Sequence, residues 1–393
     1  MKLIADDLKG DILKRVSTIQ RYMKEDGMDA LLIAGNANIY YTTSRFFRGY
    51  VYIPAEGSPI WFVVKPVGFE EEKDVVYIHK PENIPAELER LGLRMPSNIG
   101  FEYDSLLYSD VVRLQAVFPS ATPKNGSHPI KKARMVKTPW ELDRMKEDGI
   151  HQSEAYRRVT HCYREDMTDV EFQIEIERIL RLEGNLGFIR TSGNLMEINM
   201  GSVIAGDNAD VPSPYDFSMG GAGVDPALPG GANGTTMKPG ETVMVDMSGS
   251  FNGYQTDMTR VWRIGEIPEK AYKAHECSRS ILRACEKMGR PGVRVADLYD
   301  KAIAIAKAEG FDQYFMGHRQ KAPFIGHGIG IELNELPVVT AKSRDVLEEG
   351  MTIALEPKFV IPSVGAVGVE NTYVVTAEGL KPLTVFPEEI QEL

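Results

Sequence analysis

Cysteine is nearly absent from this chain, with three residues in 393. Cys162, Cys277 and Cys285 show no CxxC spacing. Cys277 and Cys285 fall in one predicted helix, eight residues or about 12 Å of rise apart, which is too far for a disulfide. The N-terminal stretch Met1-Lys2-Leu3-Ile4-Ala5-Asp6-Asp7 lacks the apolar core of a secretory signal. Free thiols without an export signal point to a reducing cytoplasm. No run is long and apolar enough to span a bilayer, which excludes a transmembrane helix. Basic excess is missing too. With 56 acidic residues against 45 Lys and Arg, the formal charge is -11, which argues against a nucleic-acid partner. What remains is an ordinary globular balance, 43% hydrophobic and 26% charged. The chain is too long for one ordinary core, so two domains are expected.

Residues 8–118 alternate helix-like and strand-like segments. Residues 11–26 read as an amphipathic helix stopped by Gly27, and residues 30–34 as a short buried strand. Residues 51–53 and 60–64 flank Glu56-Gly57-Ser58-Pro59 and read as a hairpin. Strand-like runs at 75–78 and 99–101 alternate with helical stretches at 84–91 and 105–117. This pattern predicts an α/β domain with a mixed sheet over residues 1–130. Residues 119–129, poor in apolar side chains, read as the linker. Residues 131–393 then form a second, α+β domain. Thr138-Pro139-Trp140-Glu141 and Thr168-Asp169-Val170-Glu171 are helix-opening capping boxes. Two further helices are predicted at about 269–288 and 296–309. Each helix pair is followed by an acid-bearing hairpin, so the domain carries a two-part echo.

Five residues in these hairpins and the strand between them can form one site: Asp246, Asp257, His327, Glu356 and Glu370. Residues 243–248 and 254–262 are strand-like and joined by Ser250-Phe251-Asn252-Gly253. A hairpin centred between Phe251 and Asn252 places Asp246 directly opposite Asp257, about 4.5–5.5 Å away at Cβ. A hairpin centred on Ser363 likewise places Glu356 opposite Glu370. Paired carboxylates repel each other unless a cation lies between them, and both glutamates are embedded in apolar sequence where an unpaired charge is costly. His327, in Gly326-His327-Gly328-Ile329-Gly330, adds a nitrogen from a strand whose glycines permit close approach. A lone aspartate beside a turn is ordinarily a turn former. Two matched pairs with a histidine between them in sequence point instead to divalent metal, and hence to hydrolysis.

The phrases around these five residues resemble the metal-binding signature of the pita-bread metallopeptidases, namely aminopeptidase P, prolidase and methionine aminopeptidase, with creatinase as a metal-free relative. Residues 29–41 and Gly49 resemble, more weakly, the creatinase-like N-terminal domain of that branch. The resemblance implies two divalent ions per chain, manganese foremost, with cobalt, iron or zinc as alternatives. Asp246 would bind one ion, His327 and Glu356 the other, and Asp257 and Glu370 would bridge both. It implies a metal-bridging hydroxide as nucleophile and Glu356 as general base, with Thr259 and Thr372 as supporting partners. It also implies an Xaa-Pro peptidase acting on a small peptide or small amide, and a homodimer.

Two positions depart from that pattern. Gly230, in Ala227-Leu228-Pro229-Gly230-Gly231, stands where the peptidases carry a substrate-assisting histidine. Asn334, in Asn334-Glu335-Leu336-Pro337, stands where the prolidase branch carries another. Asn334 can donate a hydrogen bond to a substrate carbonyl but cannot take a proton. His318 is the nearest candidate replacement, whereas His151 and His161 read as structural. The departures keep two alternatives open: a non-peptidase hydrolase or lyase of a small amide, amidine or onium compound, and a non-catalytic binding module on the same fold.

Overall fold

Helix α1 (Lys9–Glu25) buries Ile12, Val16, Ile19 and Met23, the spacing of a single apolar stripe. The computed structural model describes every residue except Glu71, Asn194 and Leu195, and divides into two units, Met1–Arg134 and Met135–Leu393. After α1, the first unit contains β1 (Ala30–Ile33), α2 (Asn36–Tyr41), β2 (Arg48–Pro54), β3 (Ile60–Lys65), β4 (Val75–Tyr77), α3 (Ile84–Arg90), β5 (Asn98–Phe101), α4 (Tyr108–Val117), β6 (Thr122–Asn125) and all but the last residue of α5 (Ser127–Met135). Its six strands form one sheet in the order β4-β3-β2-β1-β5-β6. The β1–β2 and β2–β3 pairs are antiparallel, while β1–β5, β3–β4 and β5–β6 are parallel. The mixed α/β architecture agrees with the expectation from sequence. Leu32, Phe62, Phe101, Ile84, Leu88 and Leu114 build its core, each burial contributing roughly 1.5–3 kcal/mol.

The segment expected as a linker is not one. Residues 122–125 pair with β5 as an edge strand, with Pro123 opposite Ile99. Proline is tolerated there because an edge strand has a free side for a residue that cannot donate. The unit boundary therefore falls later, between Arg134 and Met135.

The second unit opens with α6 (Pro139–Tyr156) and α7 (Asp169–Glu183), followed by β7 (Gly201–Ala205), β8 (Thr242–Gly249) and β9 (Thr256–Arg263). Thr138 and Thr168 close reciprocal capping boxes with Glu141 and Glu171, each cap worth about 1 kcal/mol. Helix α7 ends at Gly184 in the left-handed region, φ 108°. Next come α8 (Glu269–Met288), α9 (Val295–Ala308), β10 (Gly326–Gly328), β11 (Glu335–Val338), β12 (Thr352–Leu355), β13 (Lys358–Ile361), β14 (Gly365–Gly368), β15 (Asn371–Thr376), β16 (Gly379–Pro382) and β17 (Gln391–Glu392). The strands form a four-stranded sheet, β17-β9-β8-β7, a five-stranded sheet, β11-β10-β12-β15-β16, and the two-stranded β13–β14 ribbon. Phe172, Ile176 and Leu180 of α7 pack with Val203, Val245 and Trp262. Ile281, Leu282 and Leu298 of α8 and α9 pack with Ile353 and Val375. The repeated helix-pair-then-hairpin pattern thus gives two half-cores, each backing one acid pair. Among the described residues, no helix is long and apolar enough to cross a membrane.

The first hairpin differs in register from the expectation. Asp246 faces Thr259 and Asp257 faces Ser248, so the two aspartates are diagonal neighbours rather than directly opposite. The apex lies at Asn252-Gly253, one residue later than expected. Gly253 takes φ 93°, and the Asn252 side chain pins the loop by donating to the Arg144 carbonyl at 2.9 Å. Moving the centre by one residue moves the partner by two, and a two-residue slip keeps both acids on the same face.

The second hairpin keeps its expected register. Ile361 faces Gly365 across Ser363, which adopts φ 65°, and Leu355 still faces Asn371. The ladder opens only at Glu356-Pro357 and Val369-Glu370, because Pro357 has no N–H to offer it. Both glutamates sit at that opening.

Candidate metal centre

Four of the five candidate ligands, Asp246, Asp257, His327 and Glu356, line a cavity of about 910 Å³, and Glu370 lies buried behind them. Two three-residue groups each bring ligand atoms within 4.8 Å of one another: Asp257, His327 and Glu370, and Asp246, Glu356 and Glu370. Glu370 belongs to both groups, whereas Asp257 belongs to one.

Strand β10 aims the imidazole. His327 Nδ1 lies 3.0 Å from the Gly328 carbonyl. A carbonyl only accepts, so Nδ1 carries the proton and Nε2 keeps a lone pair that a metal ion could take. Nε2 lies 3.8 Å from Glu356 Oε1. The Glu370 carboxylate is held by the Thr259 hydroxyl, which donates to Oε2 at 2.7 Å. Its other oxygen, Oε1, is buried with no hydrogen-bond partner. Thr372 acts on the backbone instead, accepting from the Asp257 N–H at 2.7 Å and donating to its carbonyl at 3.0 Å. Burial, then the neighbouring Glu356, pushes the Glu370 carboxyl up to about 8, against Lys358, which lowers it. Burial followed by Glu370 and Asp246 likewise holds Asp257 well above the usual carboxylate range.

Lys358 is the residue that sequence reasoning missed. Its side chain is fully buried, and the three N–H groups of Nζ are shared among four oxygens, Asp246 Oδ2 at 2.8 Å, Glu356 Oε2 at 2.8 Å, Glu370 Oε2 at 2.9 Å and Ser218 Oγ at 2.9 Å. Burial alone would lower its pKa, but Asp246, Glu356 and Glu370 outweigh that and hold it well above the ordinary value. A signal was present. In the strand that the sequence suggests over residues 352–360, Lys358 lies two residues from Glu356 and so falls on the same face. A lysine beside Phe359-Val360-Ile361 needs buried acids to be tolerated.

The two groups differ in fitness for metal. Asp257, His327 and the unpartnered Glu370 Oε1 suit a divalent ion, which would leave further positions open. The Asp246, Glu356 and Glu370 group does not, because its inward oxygens already surround Lys358 Nζ.

Asn334 also lines the cavity. Its Oδ1 accepts from the Ser192 N–H at 2.7 Å, leaving its NH₂ as the donor. Gly230 lines the cavity as well, and a Cβ there would meet the Phe217 ring at 2.8 Å. His318 is not brought to this cavity. Its Nδ1 is 2.8 Å from Asp210 Oδ2, and that carboxylate turns the ring elsewhere. His151 lies against Glu183 at 3.3 Å and stacks with Phe251, in keeping with its structural assignment.

Residues 143–377 match the model of metallopeptidase family M24. The chain belongs to that family. Residues 15–136 match the Creatinase/Prolidase N-terminal domain, and M24 membership implies divalent metal. The M24 relatives include an Xaa-Pro dipeptidase of Lactobacillus delbrueckii subsp. lactis, 28% identical over 392 residues and covering 95% of this chain and 98% of the relative. An Xaa-Pro dipeptidase of Pyrococcus furiosus is 25% identical, covering 96% and 99%. The solved Xaa-Pro dipeptidase from Bacillus anthracis superposes with a TM-score of 0.79 at 22% identity, over 97% of this chain and all of that one. This M24 chain therefore shares the two-domain fold of those enzymes along nearly its whole length.

Proposed function

We propose that this protein is a metal-dependent hydrolase of the Xaa-Pro peptidase type, cutting an amide bond in the cavity above Asp257, His327 and Glu356. The observation that carries the reading is the convergence of one imidazole and four carboxylates beneath a cavity in a family M24 chain. The names of its full-length relatives support the Xaa-Pro class.

Asp257, His327 and Glu370 are the residues that would hold metal, and a bound divalent ion supplies Lewis acidity toward water or a carbonyl oxygen. Glu356 is the proton carrier. Its Oε2 is occupied by Lys358, which leaves Oε1, 3.8 Å from His327 Nε2, to accept a proton from water and pass it to the leaving amine. The Asn334 amide is oriented to donate to a substrate carbonyl. The apolar wall made by Leu228, Phe217 and Phe324 suits a compact apolar ring such as proline. We further propose manganese as the ion, the cytoplasm as location and a homodimer as assembly, each on family likeness.

A second reading, hydrolysis of a small amide, amidine or onium compound, is favoured by Phe217 packing against Gly230 in place of a titratable ring. One assay separates the two. A panel of Xaa-Pro dipeptides with added manganese or cobalt is expected to show turnover that the H327A variant loses. No turnover from metal-loaded protein would rule out the peptidase reading and leave the second.

A further inference from the structure

Building on the hydrolase reading above, we infer that Lys358 is a built-in cation standing in for one of the two metal ions, so that this centre holds a single divalent ion between Asp257, His327 and Glu370. Three carboxylate oxygens from three separate segments, on Asp246, Glu356 and Glu370, lie 2.8, 2.8 and 2.9 Å from Nζ. A divalent ion would bind the same oxygens at roughly 2.0–2.2 Å, which places it on the ammonium itself. Ion and ammonium exclude each other.

Lys358 has nowhere to retreat. The residue is fully buried. Its backbone is fixed by pairing with Gly368 and by the Met316 N–H, which donates to the Lys358 carbonyl at 2.8 Å. The other group is left intact, with Glu370 Oε1 buried and unpartnered and His327 Nε2 facing the acids.

The exchange has a chemical consequence. An ammonium balances charge and donates hydrogen bonds, but it has no empty orbital to offer a water or a carbonyl. Lys358 is therefore a positioning residue. It holds Asp246 and one oxygen of Glu356 still, and directs the other Glu356 oxygen toward His327.

The test is metal stoichiometry, measured by plasma mass spectrometry on full-length protein. The protein is stripped with chelator, reloaded with excess manganese, cobalt or zinc, and freed of unbound ion. Wild type is expected to retain one ion per chain, H327A none, and K358A two. Two ions on wild type, no ion on wild type, or one ion retained by H327A would each overturn the inference. If K358A fails to fold, the wild-type and H327A ratios still decide. One ion per chain without dipeptide turnover would uphold the single-ion centre and sink only the peptidase reading.

Discussion

Glu370 gives one carboxylate oxygen to Thr259, which donates at 2.7 Å, and to Lys358 at 2.9 Å, while its other oxygen is buried without a partner. The hydroxyl thus sets the carboxylate plane and so the direction of the free oxygen. Outer partners of this kind commonly tune metal affinity by about 10- to 100-fold. Thr259→Val, which keeps the shape and removes the hydroxyl, is expected to weaken metal binding by roughly that factor. Isothermal titration of the stripped protein with manganese measures it.

Glu356 is the assigned proton carrier, so Glu356→Gln is expected to lower kcat by about 100- to 10,000-fold. The amide can still accept from Lys358, and the melting temperature should stay close to wild type. Steady-state kinetics on the best substrate, beside a thermal melt, decides. Near-normal turnover would remove Glu356 from its role.

Arg260 is a structural counterpart to Lys358. Its fully buried guanidinium donates to the carbonyls of Thr259 and Glu370 at 2.8 Å each, to the Phe386 carbonyl at 2.9 Å and to Asn371 Oδ1 at 2.8 Å. Burial lowers its pKa to about 10, which leaves it charged at neutral pH. Arg260→Met removes these donors and strands several buried acceptors, each costing about 1–3 kcal/mol. A loss of at least about 3 kcal/mol in urea unfolding is expected.

His275 makes stability acid-sensitive. Its Nδ1 accepts from the Gly368 N–H at 3.2 Å, and Nε2 donates to the Glu388 carbonyl at 2.6 Å. The bond that Nδ1 accepts requires the neutral ring, and burial lowers its pKa from 6.5 to about 4, outweighing the Glu388 carbonyl, which raises it. Below pH 6.5 the unfolded chain takes up a proton that the folded chain refuses. Stability is therefore complete above pH 6.5 and falls toward pH 4, by roughly 1.4 kcal/mol per pH unit and about 3 kcal/mol in all. Urea unfolding across that range should show the slope, and His275→Gln should flatten it.

Much of the site was legible because strand pairing follows simple counting. The hairpin centred on Ser363 put Glu356 across from Glu370, and the structure keeps that register on both sides of the break. The Asp246–Asp257 register was off by two because the apex depends on loop anchoring by Asn252, a contact with α6 that no local pattern reveals. Edge strand β6 was hidden because Thr122-Pro123-Lys124-Asn125 pairs through backbone alone. Lys358 went unread because the run around it looked uniformly apolar. Its role appears only when the acids of three segments meet at one nitrogen.

The most direct measurement is anomalous diffraction at the manganese edge from crystals of the loaded, full-length protein. One peak is expected, bounded by Asp257, His327 and Glu370, with Lys358 Nζ still among Asp246, Glu356 and Glu370. A second peak between Asp246, Glu356 and Glu370, with Lys358 swung away, would contradict the single-ion centre.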